Sequence, residues 1–237
     1  MPEYKNEVTE AVVLCGGLGT RLRPAVPSVP KPMAPVGGLP FLTHLLSYWH
    51  QQGIGHFVLS TGYKKEAFRL HYGDSFKGAR LSFAEELEPL GTGGALLHSL
   101  PFLHRQTPFL LLNGDTYFGV SLATLWAQHL KQKASVTLAL RSVTEGSRYT
   151  TVKVNRVGNV TALASGVSGA ALIHGGVCLV DPAYLAGHKQ GRASFEQKLL
   201  VETVQQGRCA SATFDTPFID IGIPEDYAKA TEILGVT

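Results

Sequence analysis

The sequence of 237 residues is 44% hydrophobic and 16% charged, with 21 Lys and Arg against 18 Asp and Glu for a net charge of +3. That length suits one sizeable domain, and the hydrophobic fraction excludes a disordered or collagen-like chain. Because Lys and Arg are scattered, we expect no nucleic-acid partner and no membrane surface. The three widely spaced cysteines form neither a disulfide framework nor a zinc motif, and the polar N-terminus lacks a signal peptide, so the sequence predicts a cytoplasmic protein.

The first half of the chain alternates short apolar runs with stretches of helical spacing. The apolar runs predict strands at 11–15, 57–60, 81–84, 109–112 and 136–140. The helical spacing predicts helices at 41–52, 64–72, 93–99 and 122–131. Short, fully apolar strands that alternate with helices are typical of βαβ units. We therefore expect a Rossmann-like α/β fold, with a mostly parallel sheet and helices on both faces.

The second half is richer in strands. We predict a hairpin of 151–154 with 160–164, β structure over 170–180 and a strand at 210–214. Helices are predicted from Ser194 to about Gln206 and from about Pro224 onward, where Ser194 and Pro224 suit helix starts. With no long polar linker in the sequence, we interpret residues 1–237 as a single domain. Its two halves cover about 8–141 and about 142–237, and the second is a small β-rich subdomain against the same sheet.

A glycine-rich segment, Gly16-Gly17-Leu18-Gly19-Thr20-Arg21, follows the first predicted strand. Glycines let backbone N–H groups approach an anion, so the segment could cradle a phosphate, but from these residues alone a tight structural turn is an equally good interpretation. It is not a Walker loop, because the sequence has no Gly-x-x-x-x-Gly-Lys-Ser/Thr motif, and it is not a dinucleotide fingerprint, because the third glycine position is Leu22. Further along, Lys31 lies between Pro30 and Pro32, whose rings stiffen the backbone that carries the ammonium group.

Taken together, segments 14–22 and 30–33 resemble the signature of the sugar-1-phosphate nucleotidyltransferases. The resemblance continues in family order through 88–95, 112–115, 175–177 and 218–227. Within the family, the short chain and its last segment are most similar to D-glycero-α-D-manno-heptose-1-phosphate guanylyltransferases, and mannose-1-phosphate guanylyltransferases come next. The resemblance implies the nucleotidyltransferase (GT-A-like) fold with a small β-rich sugar-binding subdomain, and because relatives frequently assemble, it leaves a homo-oligomer open.

The activity implied by the resemblance is transfer of a nucleotidyl group, GMP from GTP in the first instance, to a sugar 1-phosphate with release of pyrophosphate. Such a reaction needs charge neutralisation and alignment more than a protein nucleophile. The resemblance assigns catalysis to Arg21 on the β- and γ-phosphates, Lys31 on the α-phosphate, and Asp115. It also assigns a Mg²⁺ cofactor to Asp115 and Asp220, which fits the preference of this cation for one or two carboxylates beside phosphate oxygens.

The resemblance assigns the remaining site residues to two substrates. The nucleotide-binding set is Leu14, Gly16, Gly17, Gly19, Thr20, Arg21, Glu86, Glu88, Gly91 and Thr92. The sugar-binding set is Asn113, Gly176 and Glu196. Glu86 and Glu88 are the candidates for the base edge, and a carboxylate that accepts from the N1–H and N2–H₂ groups of guanine favours GTP over other NTPs.

The sequence departs from the family pattern at the acceptor phosphate. Many relatives carry a Glu-Lys pair after the strand that corresponds to 160–164, whereas segment 164–169 of this chain has no lysine. Lys153, Arg148 and Lys198 are the candidates to replace it. The missing lysine also keeps open a nucleotide-sugar sensor without catalysis, and UDP-, dTDP- or CDP-sugar synthesis stays open within the enzyme class. A dehydrogenase is disfavoured by the broken dinucleotide fingerprint.

Overall fold

The computed structural model describes residues 8–104 and 107–236. Within these ranges the strands β1 to β14 are Glu10–Leu14, Pro35–Val36, Leu39–Pro40, His56–Thr61, Ser75–Phe76, Ala79–Glu85, Phe109–Asn113, Thr116–Phe118, Val136–Val143, Thr150–Val154, Val160–Ser165, Ala171–Val180, Cys209–Thr213 and Phe218–Asp220. The α-helices α1 to α8 are Phe41–Gln51, Glu66–Tyr72, Gly91–Ser99, Leu122–Gln132, Pro182–Leu185, Leu200–Gln205, Pro224–Tyr227 and Ala230–Leu234. Short 3₁₀ turns cover Lys31–Met33 and Leu100–Phe102, and a π-helical turn covers Phe195–Leu199.

The centre of the main sheet is parallel, in the order β7-β1-β4-β6. Residues of β1 alternate between two hydrophobic clusters: Val13 packs with α1, whereas Val12 packs with α3 and with the π-helical turn. Each face of the sheet is therefore covered by helices. The predicted α/β fold with a central, mostly parallel sheet is confirmed, and the five strands predicted in the first half correspond to β1, β4, β6, β7 and β9.

The second half of the chain extends this sheet with antiparallel strands. β12 pairs antiparallel with β7, where Val177 lies opposite Leu112, and β10 and β11 continue beyond β12 as the predicted hairpin. β9 also pairs with β12, and β13 adds to β9. Apolar runs identified β12 as a strand but carry no information about its direction, which is set by pairing with distant residues.

Two predicted helices differ from the structure. The helix expected from Ser194 begins with the π-helical turn, whose wider winding keeps Phe195, Leu199 and Leu200 all buried before α6 begins. The helix expected from Pro224 is divided into α7 and α8. A third hydrophobic cluster packs these last helices and β14 against Ala34, next to the turn that carries Lys31. None of the helices in the described ranges is long and apolar enough to cross a membrane.

Candidate active site

Loops at the carboxyl ends of β1, β6 and β7 surround a cleft of about 290 Å³, which we call the glycine cleft. Ligands of open α/β folds bind at this edge of the sheet. Its lining residues are Leu14, Cys15, Gly16, Gly17, Leu18, Gly19, Lys31, Pro32, Glu86, Pro89, Gly91, Thr92, Ala95, Asn113 and Asp115. The cleft thus brings together most of the residues predicted to bind a nucleotide, although they come from four separate segments of the chain.

Glu86 forms hydrogen bonds with two separate segments around the glycine cleft. Its carboxylate accepts hydrogen bonds from the Ser60 hydroxyl at 3.1 Å and from the Leu90 backbone N–H at 2.9 Å. A Cβ atom on Gly16 would collide with this carboxylate, so a larger residue at this position would displace Glu86 from its hydrogen bonds. Cys15 is buried, and burial raises the pKa of its thiol, so it is an inert part of the cleft wall.

Lys31 brings a positive charge to the floor of the glycine cleft. The short 3₁₀ turn holds its backbone, and its ammonium group forms an ion pair with the carboxylate of Asp115. The Lys31 side chain is 13% exposed and that of Asp115 is 28% exposed, so bulk water screens the pair only partly. Gly19, at φ +61°, lies where a Cβ atom would be 3.3 Å from Cβ of Lys31. The glycine loop therefore packs directly on the stem of this lysine.

A second pocket of about 320 Å³ adjoins the glycine cleft, since Asn113 and Asp115 line both. We call it the acidic pocket. Its lining residues are Arg21, Asn113, Asp115, Thr116, Arg148, Tyr149, Thr150, Ser165, His174, Ser194, Glu196, Gln197 and Asp220. Two of the predicted sugar-binding residues, Asn113 and Glu196, lie here. The third, Gly176, lies behind Asn113, where its Cβ atom would be 2.9 Å from Nδ2 of Asn113.

The two predicted metal ligands lie in the same pocket although 105 positions separate them in the sequence. β14 pairs antiparallel with β8, which places Asp220 opposite Thr116, and the Ile221 N–H donates to the Asp115 carbonyl at 3.0 Å. Burial and the nearby Asp115 carboxylate raise the pKa of Asp220, whereas Lys31 and the Gly222 N–H oppose that rise. A buried carboxylate whose charge is destabilised by a second carboxylate nearby is a place where a cation is stabilised.

The sequence matches the nucleotidyl transferase family over residues 10–235. This chain belongs to that family. It is 39% identical over 227 residues to the D-glycero-alpha-D-manno-heptose 1-phosphate guanylyltransferase of Aneurinibacillus thermoaerophilus, covering 95% of this chain and 98% of the relative. It is 37% identical to the enzyme of the same name from Campylobacter jejuni, covering 92% and 96%. The solved structure of HddC from Yersinia pseudotuberculosis complexed with GMP-PN superposes with a TM-score of 0.82 at 30% identity, covering 95% of this chain and 99% of that one.

A threonine joins the two pockets of this nucleotidyltransferase. The Thr92 hydroxyl, in the wall of the glycine cleft, donates to Oε2 of Glu196 in the acidic pocket at 2.7 Å. The same hydroxyl accepts from the Phe195 backbone N–H at 2.8 Å, and Ser194 also donates to Glu196. A residue predicted to bind the nucleotide therefore holds one predicted to bind the sugar.

Three predicted residues have different surroundings. Thr20 and Glu88 are exposed and line neither pocket, and Arg21 is exposed and lines the acidic pocket only. Arg23, two positions after Arg21, lies over the Tyr63 ring at 5.0 Å and donates to the Leu18 carbonyl. That contact fixes the glycine loop from outside.

Sequence reasoning gave no role to Tyr149, His174 and Gln197, which line the acidic pocket. Burial lowers the pKa of His174 despite the nearby Glu196 carboxylate, so its imidazole is neutral at neutral pH. The one available signal was a lone histidine within an otherwise apolar strand, which is usually a packing residue. Only the folded sheet shows that this position faces the pocket.

Proposed function

We propose that this nucleotidyltransferase transfers GMP from GTP to D-glycero-α-D-manno-heptose 1-phosphate, releasing pyrophosphate and forming GDP-heptose. Two relatives with that printed activity, 37–39% identical over more than nine-tenths of this chain, support the choice of substrates. The structural observation that carries the proposal is the pair of adjoining pockets, which share Asn113 and Asp115 and have the Lys31 ammonium group at the Asp115 boundary. Two substrates bound in adjoining pockets can meet at this boundary.

The proposed reaction is an in-line displacement at the α-phosphorus of GTP. An oxygen of the sugar 1-phosphate attacks, and pyrophosphate leaves from the opposite side. We assign Lys31 to the charge that develops on the α-phosphate, because its ammonium group is fixed by the 3₁₀ turn and by Asp115. Arg21 lines the pocket that contains both aspartates and does not line the glycine cleft. We assign its guanidinium to the departing pyrophosphate because the family resemblance does so and because its planar fork suits phosphate oxygens.

Asp115 and Asp220 are the residues that would hold Mg²⁺. Their shared pocket and the raised pKa of Asp220 fit a site that accepts a cation. In the described ranges, no group of three or more Asp, Glu, His or Cys side chains could hold a metal ion, so phosphate oxygens and water would complete the ligand set. When bound, the ion would neutralise phosphate charge. Without it, Lys31 partly offsets the repulsion between the two carboxylates.

Glu86 is our candidate for guanine recognition, and its position is better than that of Glu88. It lines the glycine cleft, whereas Glu88 is exposed outside it. Each Glu86 oxygen already accepts one hydrogen bond within the protein, and a carboxylate can accept about four. The remaining acceptor positions suit the N1–H and N2–H₂ donors of guanine.

A substrate matrix tests the proposed function. GTP, UTP, dTTP, CTP and ATP are each mixed with Mg²⁺ and with heptose, mannose or glucose 1-phosphate, and pyrophosphate release is measured. We expect turnover to be fastest for GTP with the heptose phosphate. Faster turnover with another pair would reassign the substrates, and the absence of pyrophosphate with every pair would favour a nucleotide-sugar sensor.

The proposed metal site has its own test. We expect Asp115→Asn and Asp220→Asn each to lower kcat by roughly 100-fold or more, and to shift the Mg²⁺ dependence of the rate to higher concentration, since each removes one of two anionic ligands. Asp215→Asn is the matched control, because Asp215 is fully exposed and pairs with Arg141 outside both pockets. Unchanged Mg²⁺ dependence in both site variants would contradict the assignment.

A further inference from the structure

A sugar 1-phosphate brings a phosphate dianion into the acidic pocket, which already contains three carboxylates: Asp115, Asp220 and Glu196. A Mg²⁺ ion can offset two of these, but the incoming phosphate still requires cationic donors on the sugar side of the pocket. The lysine and arginine side chains that line the pocket are those of Arg21 and Arg148. Because Arg21 is assigned to the departing pyrophosphate, Arg148 is the cation available to the acceptor.

The guanidinium group of Arg148 is held in place by Asp226 and by the Tyr149 ring. Its Nη1 donates to Oδ2 of Asp226, in α7, at 2.7 Å, and its guanidinium carbon lies 5.5 Å from the centroid of the Tyr149 ring. The Asp226 side chain is only 19% exposed, and that of Arg148 is 33% exposed. A guanidinium has five N–H donors in a rigid fork that matches phosphate oxygens, so one bond to Asp226 fixes the group and leaves donors for a ligand.

The other two cations considered from the sequence lie elsewhere. Lys153 is exposed on β10 and Lys198 is exposed on the π-helical turn, and neither lines the acidic pocket. In each case a neighbour does line it: Thr150 on the same strand, and Gln197 directly before Lys198. The backbone therefore passes the pocket at both places while the lysine side chains lie outside its lining.

We propose that Arg148, oriented by Asp226, binds the phosphate of the sugar 1-phosphate; this inference rests on the proposed function of the two pockets. Arg148 is then a substrate-binding residue, and Asp226 is a positioning residue that acts through it. The ion pair also links acceptor binding to the last helices of the chain, since Asp226 lies in α7.

The test compares Arg148→Ala and Arg148→Lys with the matched controls Lys153→Ala and Lys198→Ala. For Arg148→Ala we expect the KM for the sugar 1-phosphate to rise at least about tenfold while the KM for GTP stays within about twofold. Arg148→Lys should recover part of that loss, because it keeps the charge without the fork. Asp226→Asn should raise the same KM by less than Arg148→Ala, and both lysine variants should match the wild type.

Equal acceptor KM values for the wild type and Arg148→Ala would overturn the inference while leaving the proposed function intact, and so would a loss of the same size in Lys153→Ala or Lys198→Ala. Thermal unfolding of each variant shows whether a change in KM comes from misfolding. If Arg148→Ala is misfolded, the comparison of Arg148→Lys with the wild type decides the inference. If the wild type releases no pyrophosphate with any substrate pair, the proposed function fails. Calorimetric titration with mannose and heptose 1-phosphates then decides this inference: weaker binding by Arg148→Ala supports it, and equal or undetectable binding overturns it.

Discussion

At the scale of single residues, the acidic pocket depends on a close approach between Gly176 and Asn113. Gly176 has φ +71°, and a Cβ atom there would lie 2.9 to 3.2 Å from three atoms of the Asn113 side chain. Gly176 therefore acts on the site without lining it. It provides the space in which Asn113, which lines both pockets, keeps its orientation.

We expect Gly176→Ala to raise the KM for the sugar 1-phosphate severalfold, because the new methyl group displaces Asn113. It should also lower the free energy of unfolding by about 1 kcal/mol or more through backbone strain at positive φ. Gly207→Ala is the matched control: Gly207 has φ +67°, and a Cβ atom there meets nothing within 4 Å. Steady-state kinetics and denaturant unfolding measure both effects. An equal rise in KM for the two variants would show that Asn113 is not the cause.

Residues that belong to recognisable sequence motifs could be assigned to the site from the sequence, and residues outside such motifs could not. Lys31, Asp115 and Asp220 belong to segments with unusual local chemistry, and the structure brings all three together. His174 and Gln197 occupy ordinary positions on a strand and a helical turn, so only the pairing of distant strands shows that they line a pocket. Glu88 is the opposite case, since it belongs to the motif segment 88–95 and yet lies exposed outside the cleft lining.

At the scale of elements, hydrophobic pattern predicted the strands well because each central strand is buried on both faces. The pattern could not give the antiparallel direction of β12 or the π-helical turn. Both depend on tertiary contacts: β12 on its pairing with β7 and β9, and the turn on burial of Phe195 and Leu199. The start of α3 is a further case, because the N–H groups of Gly93 and Gly94 donate to the Ala193 carbonyl. The N-terminal end of α3 therefore binds a backbone carbonyl from the second half of the same chain.

Helix α4 contains a group whose titration affects stability. His129 is 4% exposed, stacks on Trp126 and lies 2.8 Å from the Thr137 hydroxyl through Nδ1. Burial lowers the pKa of His129 from 6.5 to about 4. As the pH falls from 6.5 toward 4, the unfolded chain takes up a proton at this residue and the folded protein does not, so the free energy of unfolding decreases.

We expect this residue to contribute a decrease of about 3 kcal/mol across that interval and none above neutral pH. His129→Gln keeps a hydrogen-bonding side chain but cannot titrate. Its free energy of unfolding, measured with denaturant at several pH values, should fall less steeply than that of the wild type between pH 6.5 and 4. Parallel curves for the two proteins would contradict the assignment, because other buried groups such as His56 are common to both.

At the scale of the whole molecule, the two halves share one sheet, and each hydrophobic cluster contains residues of both. β12 from the second half lies directly against β7 from the first, with Leu179 opposite Leu110. Val12 and Leu96 of the first half pack in the same cluster as Phe195 and Leu200 of the second. Because the acidic pocket is built from both halves, loss of either one would dismantle the site.

We therefore predict that the halves unfold in one cooperative transition, and probes in each half can test this. Trp49 and Trp126 report the first half by fluorescence, and the buried thiols of Cys178 and Cys209 report the second by reaction with a thiol reagent. In a Cys15→Ala background, which leaves only those two thiols, both probes should give the same denaturant midpoint and the same slope. Thiol exposure at a clearly lower denaturant concentration than the fluorescence change would show that the second half unfolds separately, as an independent domain would.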